Sequence, residues 1–299
     1  MIPEEKILLI GQVLKDSSKP LKERFRALFT LKNIGGKTAI QCISEAFADE
    51  SALLKHELAY CLGQMKDSDA NDILRQVLED KSQEPMVRHE AAEALGAIGD
   101  KSSISILEKY AQDPVKEVSE TCYLALKRIQ FVTEEDKQKD TGNIYGSVDP
   151  TPPLDDVSDI NKLKEILLNE NEDLFMRYKA MFKLRDINSV ESTLALTEGL
   201  SHGSSLYRHE IAFVLGQMQN PSSIPALTSA LEDQTQNEMV RHECAEALGA
   251  IATPECYDVL RKYLSDEKVV VRQSCEIALD MCDYENSVEL QYADTLCKV

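Results

Sequence analysis

Tryptophan is absent, aromatic residues make up only 6% of the chain, and no apolar run reaches the roughly 18 residues a membrane span requires. Membrane insertion is therefore not expected. Cationic charge is scarce as well. Against 33 Lys and Arg stand 52 Asp and Glu, a formal net charge of −19. Non-specific nucleic-acid binding needs a cationic surface, so this balance argues against it. It favours a cationic partner through electrostatic steering, or it serves solubility alone. The eight cysteines include no C-x-x-C pair, which argues against a zinc ribbon or a thioredoxin-type site. Reduced structural thiols in a cytoplasmic protein account for them. The opening "MIPEEKILLI" carries acid where a secretory signal needs positive charge, and the closing "TLCKV" holds no lipidation motif.

What the chain does have is repetition. "EPMVRHEAAEALGAI" at 84–98 returns as "NEMVRHECAEALGAI" at 237–251, an offset of 153 residues. At the same offset "HELAYCLGQM" (56–65) returns as "HEIAFVLGQM" (209–218), and "RFRALFTLKNI" (24–34) as "RYKAMFKLRDI" (177–187). The chain is a duplication. A shorter period of 33 residues separates His56 from His89, and His209 from His242. Within one such period "DSDANDILRQVLED" and "EPMVRHEAAEALGAIGD" each show helical spacing of apolar residues, as at Ile73, Leu74, Val77 and Leu78. Asp and Asn stand before the helices, and Gly-Asp or Gly-Gly closes them. No alternating strand pattern appears. A repeated helix pair of this length predicts an all-α fold, an α-solenoid of eight HEAT-like helical hairpins in two symmetric four-repeat halves.

The halves are expected at 1–130 and 160–299. Between them "FVTEEDKQKDTGNIYGSVDPTPPLDDVSD" (131–159) holds three prolines, two glycines and many charges, and reads as a flexible linker. Its length would let the two arrays face each other.

Histidine occurs five times, and four of the five precede glutamate: His56-Glu57, His89-Glu90, His209-Glu210 and His242-Glu243. The pairs fall only in the two inner units of each half. Glutamate near a helix start is favourable in its own right, but histidine gains nothing there. Second helices of adjacent repeats lie about 8–10 Å apart, so histidines at equivalent positions can converge on one ion. His56 and His89 form one such pair, His209 and His242 the other. Two imidazoles with a carboxylate and open positions match non-haem Fe(II) oxygen chemistry, although such a set does not choose between Fe, Mn and Zn. The zincin motif H-E-x-x-H fails, because Tyr60 and Glu93 stand at i+4. The E-x-x-H pattern of di-iron bundles is missing from these helices too. Gly63, Gly96, Gly216 and Gly249 each follow a histidine by seven residues. They read either as sites of close helix packing or as a smooth approach for a substrate side chain.

Four His-Glu pairs on duplicated four-unit arrays closely resemble the deoxyhypusine hydroxylase family. So do "ERFRALFTL", "SVDPTPP" and "QYAD". The resemblance runs along nearly the whole chain and departs at none of the eight motif positions. It implies a monooxygenase with two Fe ions that react with O₂ in the Fe²⁺ form, supplied by an electron donor of unknown identity. The implied substrate is the deoxyhypusine side chain of one translation factor, hydroxylated to complete hypusine. By the same resemblance His56 and His89 ligate one iron, and His209 and His242 the other. Glu90 and Glu243 are the preferred carboxylate ligands. Glu57 and Glu210 are either further ligands or receive the substrate's amines. A non-catalytic HEAT-repeat adaptor is the alternative, and a metal-dependent hydrolase stands third.

Overall fold

The structure is a computed structural model that describes residues 2–134 and 143–299. Among the described residues regular structure is helical throughout, with no strand. By contact the chain forms two compact units, one of residues 1–150 with 289–299, the other of 151–288.

The first unit holds α1 (Glu4–Lys15), α2 (Leu21–Ile34), α3 (Gly36–Glu45), α4 (Ala52–Gln64), α5 (Asn71–Glu79), α6 (Pro85–Ile98), α7 (Ile104–Tyr110) and α8 (Lys116–Glu134). The second holds α9 (Ile160–Leu168), α10 (Leu174–Ile187), α11 (Val190–Glu198), α12 (Ser205–Met218), α13 (Ile224–Glu232), α14 (Glu238–Ile251), α15 (Pro254–Lys262) and α16 (Val269–Glu285). Each unit is thus four helical hairpins. Within a unit the second helices pack side by side, α2–α4–α6–α8 and α10–α12–α14–α16, and the first helices cover them.

This division follows from the apolar pattern. α5 is amphipathic and buries only Asn71, Leu74, Val77 and Leu78. α6 lies between α4, α8 and α5, and is buried from Met86 to Ala97 almost without a break. Its apolar residues pack against those neighbours, and its buried Arg88, His89 and Glu90 therefore need polar partners inside the fold. Pro85 opens it at the first turn, where its missing N–H costs nothing, and Gly99 closes it with φ of 76°.

A buried arginine ties the two helices of many hairpins together. Arg24, Arg88, Arg177 and Arg241 each donate Nε–H to the carbonyl oxygen near the end of the preceding helix: Leu14, Leu78, Leu167 and Leu231. Three of them also pair with an aspartate 25 residues on: Arg24 with Asp49, Arg88 with Asp113 at 2.7 Å, and Arg241 with Asp266 at 2.6 Å. The arginine stands where no His-Glu follows, at Arg24-Phe25 and Arg177-Tyr178, so its role belongs to the hairpin.

The chain between the halves departs from a simple break. α8 continues to Glu134, and the expected flexible linker over 131–159 falls partly on 135–142, outside the described residues. Past it, Asn143 and Ser147 donate to the Asp149 carboxylate, Val148 N–H donates to Gln64 Oε1, and Arg128 donates to the Asp149 carbonyl. Residues 143–150 are thereby held on the first unit. The last residues group there too. Arg26 pairs with Glu289 and Asp294 and stacks on Tyr292, which also meets Phe29 edge-on.

Candidate metal centre

The repeat places the four histidines on α4, α6, α12 and α14, and packing brings each neighbouring pair together. Gly63 on α4 faces Ala94 on α6 so closely that an added Cβ would sit 2.8 Å from the Ala94 Cα. The corresponding distance is 3.0 Å for Gly216 against Ala247, and 2.7 Å for Gly249 against Ala278. A Cβ at Gly63 or Gly249 would force the facing backbone to move, and one at Gly216 would be tightly crowded. These glycines set the spacing of the second helices, which is the packing role rather than the substrate-approach role.

At that spacing His56 reaches across to the next helix. In the first unit, His56 Nε2 lies 3.3 Å from Glu90 Oε2, and the His56 and His89 rings are 5.5 Å apart. Donor atoms of His56, His89 and Glu90 all fall within 4.8 Å of one another. The second unit repeats the arrangement. His209 Nε2 lies 3.3 Å from Glu243 Oε2, and the rings of His209 and His242 are 5.2 Å apart. His242 Nε2 is 3.9 Å from the same Glu243 oxygen. All eight motif residues are buried, with His89 and His242 fully enclosed.

The glutamates divide into two kinds. Glu90 and Glu243 face a histidine of the preceding repeat. Glu57 Oε2 lies 4.0 Å from Nδ1 of His56 in its own pair, and Glu57 is not among the donors grouped as His56, His89 and Glu90. Successive helical residues point about 100° apart, yet His89 with Glu90 and His242 with Glu243 still bring their donor atoms close together. Glu210 is buried at the equivalent place on α12.

The surroundings are apolar and negative. Burial pushes the Cys61 thiol well above its usual range, and the Glu57 and Glu90 carboxylates add to the rise. Cys244 is raised by burial and then by Glu243. Among the described residues, neither thiol joins the groups of donors placed closely enough to hold a metal. Two imidazoles and a carboxylate, gathered where burial disfavours bare negative charge, fit a divalent cation with nitrogen and oxygen preference, iron included.

One acid near the centre escaped the sequence reading. Glu246 Oε1 lies 3.6 Å from His242 Nδ1, and Glu246 joins His242 and Glu243 as a group of donors able to hold a metal. Its signal was present: glutamate stands four residues after histidine in "RHEAAEALG" and "RHECAEALG". That spacing served only to reject the zincin motif.

Fold and site together define a HEAT-repeat protein with a duplicated, buried histidine–carboxylate centre. HEAT repeats match at residues 41–127 and 193–280. Deoxyhypusine hydroxylase of Drosophila melanogaster is 60% identical over 100% of this chain and 99% of its own length. That of Xenopus laevis is 58% identical over 97% and 95% respectively. The solved structure of human deoxyhypusine hydroxylase in complex with glycerol superposes with a TM-score of 0.91 at 54% identity, covering 94% of this chain and 97% of that one. The chain belongs to the deoxyhypusine hydroxylase family.

Proposed function

We propose that this enzyme is a di-iron, O₂-dependent monooxygenase that hydroxylates the deoxyhypusine side chain of a translation factor, the step that completes hypusine. Membership of the family supports the hydroxylation. The observation that carries the metal reading is the repeated contact of a histidine Nε2 with a carboxylate one repeat on, at 3.3 Å in both units. His56, His89 and Glu90 would hold one iron, and His209, His242 and Glu243 the other. Iron so held supplies the redox chemistry with O₂ that an unactivated C–H bond demands and that side chains alone lack.

The remaining tasks fall to the chain. Within each unit the ligands are buried between neighbouring helices, α4 with α6 and α12 with α14, and this shielding from bulk water strengthens each electrostatic contact made there. Glu57 and Glu210 are buried carboxylates on α4 and α12, the helices that precede those of Glu90 and Glu243. They suit the cationic amines of the substrate side chain and would orient its reacting carbon. The net charge of −19 favours approach of that cationic side chain. Among the described residues no helix is long and apolar enough to cross a membrane, and we place the reaction in the cytoplasm with a protein substrate.

The test is to incubate iron-loaded enzyme and a reductant with a deoxyhypusine-bearing protein under ¹⁸O₂. Mass spectrometry should find one labelled oxygen on the modified lysine. Unlabelled or unmodified substrate would reject the reading.

A further inference from the structure

Glu246 stands one turn after His242 on α14, so its carboxylate returns to the same side of the helix. Its Oε1 lies 3.6 Å from His242 Nδ1, while the opposite nitrogen, Nε2, lies 3.9 Å from Glu243 Oε2. Two carboxylates thus divide one fully buried imidazole. Glu243 shares the Nε2 side with His209, and Glu246 occupies the Nδ1 side. A neutral imidazole carries one N–H and one lone pair, and a carboxylate beside one nitrogen keeps the proton there. The other nitrogen then offers its lone pair to a cation.

We infer that Glu246 is a positioning residue that holds the His242 proton on Nδ1 and turns Nε2 toward Glu243 and His209. The inference rests on the iron reading above. Its acceptor is close to but beyond the roughly 3 Å of a good N–H···O contact, a gap that a small side-chain adjustment closes. Glu246 is also no general feature of the repeat. Four residues after histidine, α4 and α12 carry Tyr60 and Phe213; only α6 and α14 carry glutamate, at Glu93 and Glu246. These are the two helices that supply both a fully buried histidine and the carboxylate facing the preceding repeat. Glu93 itself is half-buried and lines a small cavity with Thr121 and Arg128 of α8. A glutamate kept for solubility would extend into water, whereas the Glu246 side chain is 17% exposed.

The test titrates full-length apoprotein with ferrous iron against a coloured ferrous chelator, for the parent chain, Glu246→Ala and Glu246→Gln. Melting of the apoproteins serves as the control for folding. Glutamine retains an oxygen that accepts from Nδ1–H but is a poor metal ligand in place of carboxylate. One of the two iron sites should weaken by about 10–100-fold in Glu246→Ala, recover most of its affinity in Glu246→Gln, and leave apoprotein melting unchanged. Parent-like affinity in Glu246→Ala would overturn the inference. Equal loss in both variants would also overturn it, by making Glu246 a direct ligand. If the parent chain itself binds no iron, the iron reading fails instead, and the two failures are told apart by that first titration.

Discussion

Nε2 of His209 lies 3.3 Å from Oε2 of Glu243, one repeat further along the chain. His56 and Glu90 stand at the same 3.3 Å in the other unit. A contact made across repeats, rather than within one His-Glu pair, decides which glutamate accompanies which histidine. Replacing His209 or Glu243 by alanine should therefore remove about one iron of two per chain, as should His56→Ala or Glu90→Ala. Metal analysis after desalting checks this. Full iron retention in these variants would contradict it.

Glu57 and Glu210, buried on α4 and α12, are proposed to receive the substrate's amines rather than to hold iron. Glu57→Ala and Glu210→Ala should keep iron near the parent level and weaken binding of the deoxyhypusine-bearing substrate by about 10-fold or more, the cost of losing a charge-assisted contact. Titration calorimetry alongside iron content separates the outcomes. Iron loss with unaltered substrate binding would assign them as ligands.

Gly63 and Gly249 sit where a Cβ would meet the Cα of Ala94 at 2.8 Å and of Ala278 at 2.7 Å. Alanine is the better helix former, so propensity alone predicts stabilisation by about 1 kcal/mol. Overpacking should win, because the obstacle is backbone and cannot rotate away. We expect Gly63→Ala and Gly249→Ala to destabilise by about 1–3 kcal/mol, measured by urea unfolding.

Arg241 and Asp266 form a two-pronged buried pair, at 3.1 and 2.6 Å. The Arg241 guanidinium holds the Asp266 carboxyl below the usual carboxylate range, against the opposing effect of burial. A carboxyl lowered in the folded state contributes stability above its unfolded pKa and loses it as pH falls through the folded value. That contribution should be whole above about pH 5 and drain away below about pH 4. Asp266→Asn should flatten part of this acid slope. Asp266→Ala, which leaves a buried guanidinium without its carboxylate, should cost about 3–5 kcal/mol at neutral pH.

The helices, the hairpin period and the duplication were legible in the sequence, because each is a spacing and spacing is one-dimensional. The same holds for the four histidines, whose restriction to inner repeats is visible at His56, His89, His209 and His242 without coordinates. The choice between Glu57 and Glu90 needed the phase of two helices against each other. The glycines needed it too: the sequence offered two roles for Gly63, and only the Ala94 backbone selects one. Glu246 stood in plain view four residues after His242, but that spacing says only that the two share a side of α14, not which ring nitrogen the carboxylate meets. The Arg88–Asp113 and Arg241–Asp266 pairs were hidden among ordinary surface-type charges. The docking of Tyr292 and Asp294 on Arg26 joins residues more than 250 positions apart with no repeat to announce it.

Iron content, read together with the visible spectrum before and after reduction and exposure to O₂, bears most directly on the proposed centre. Protein reconstituted with Fe(II) should hold about two irons per chain. It should develop an oxygen-dependent absorption band that fades when deoxyhypusine-bearing substrate is added. A chain that binds no iron after reconstitution, or that binds it with no response to O₂, would contradict the di-iron oxygenase reading.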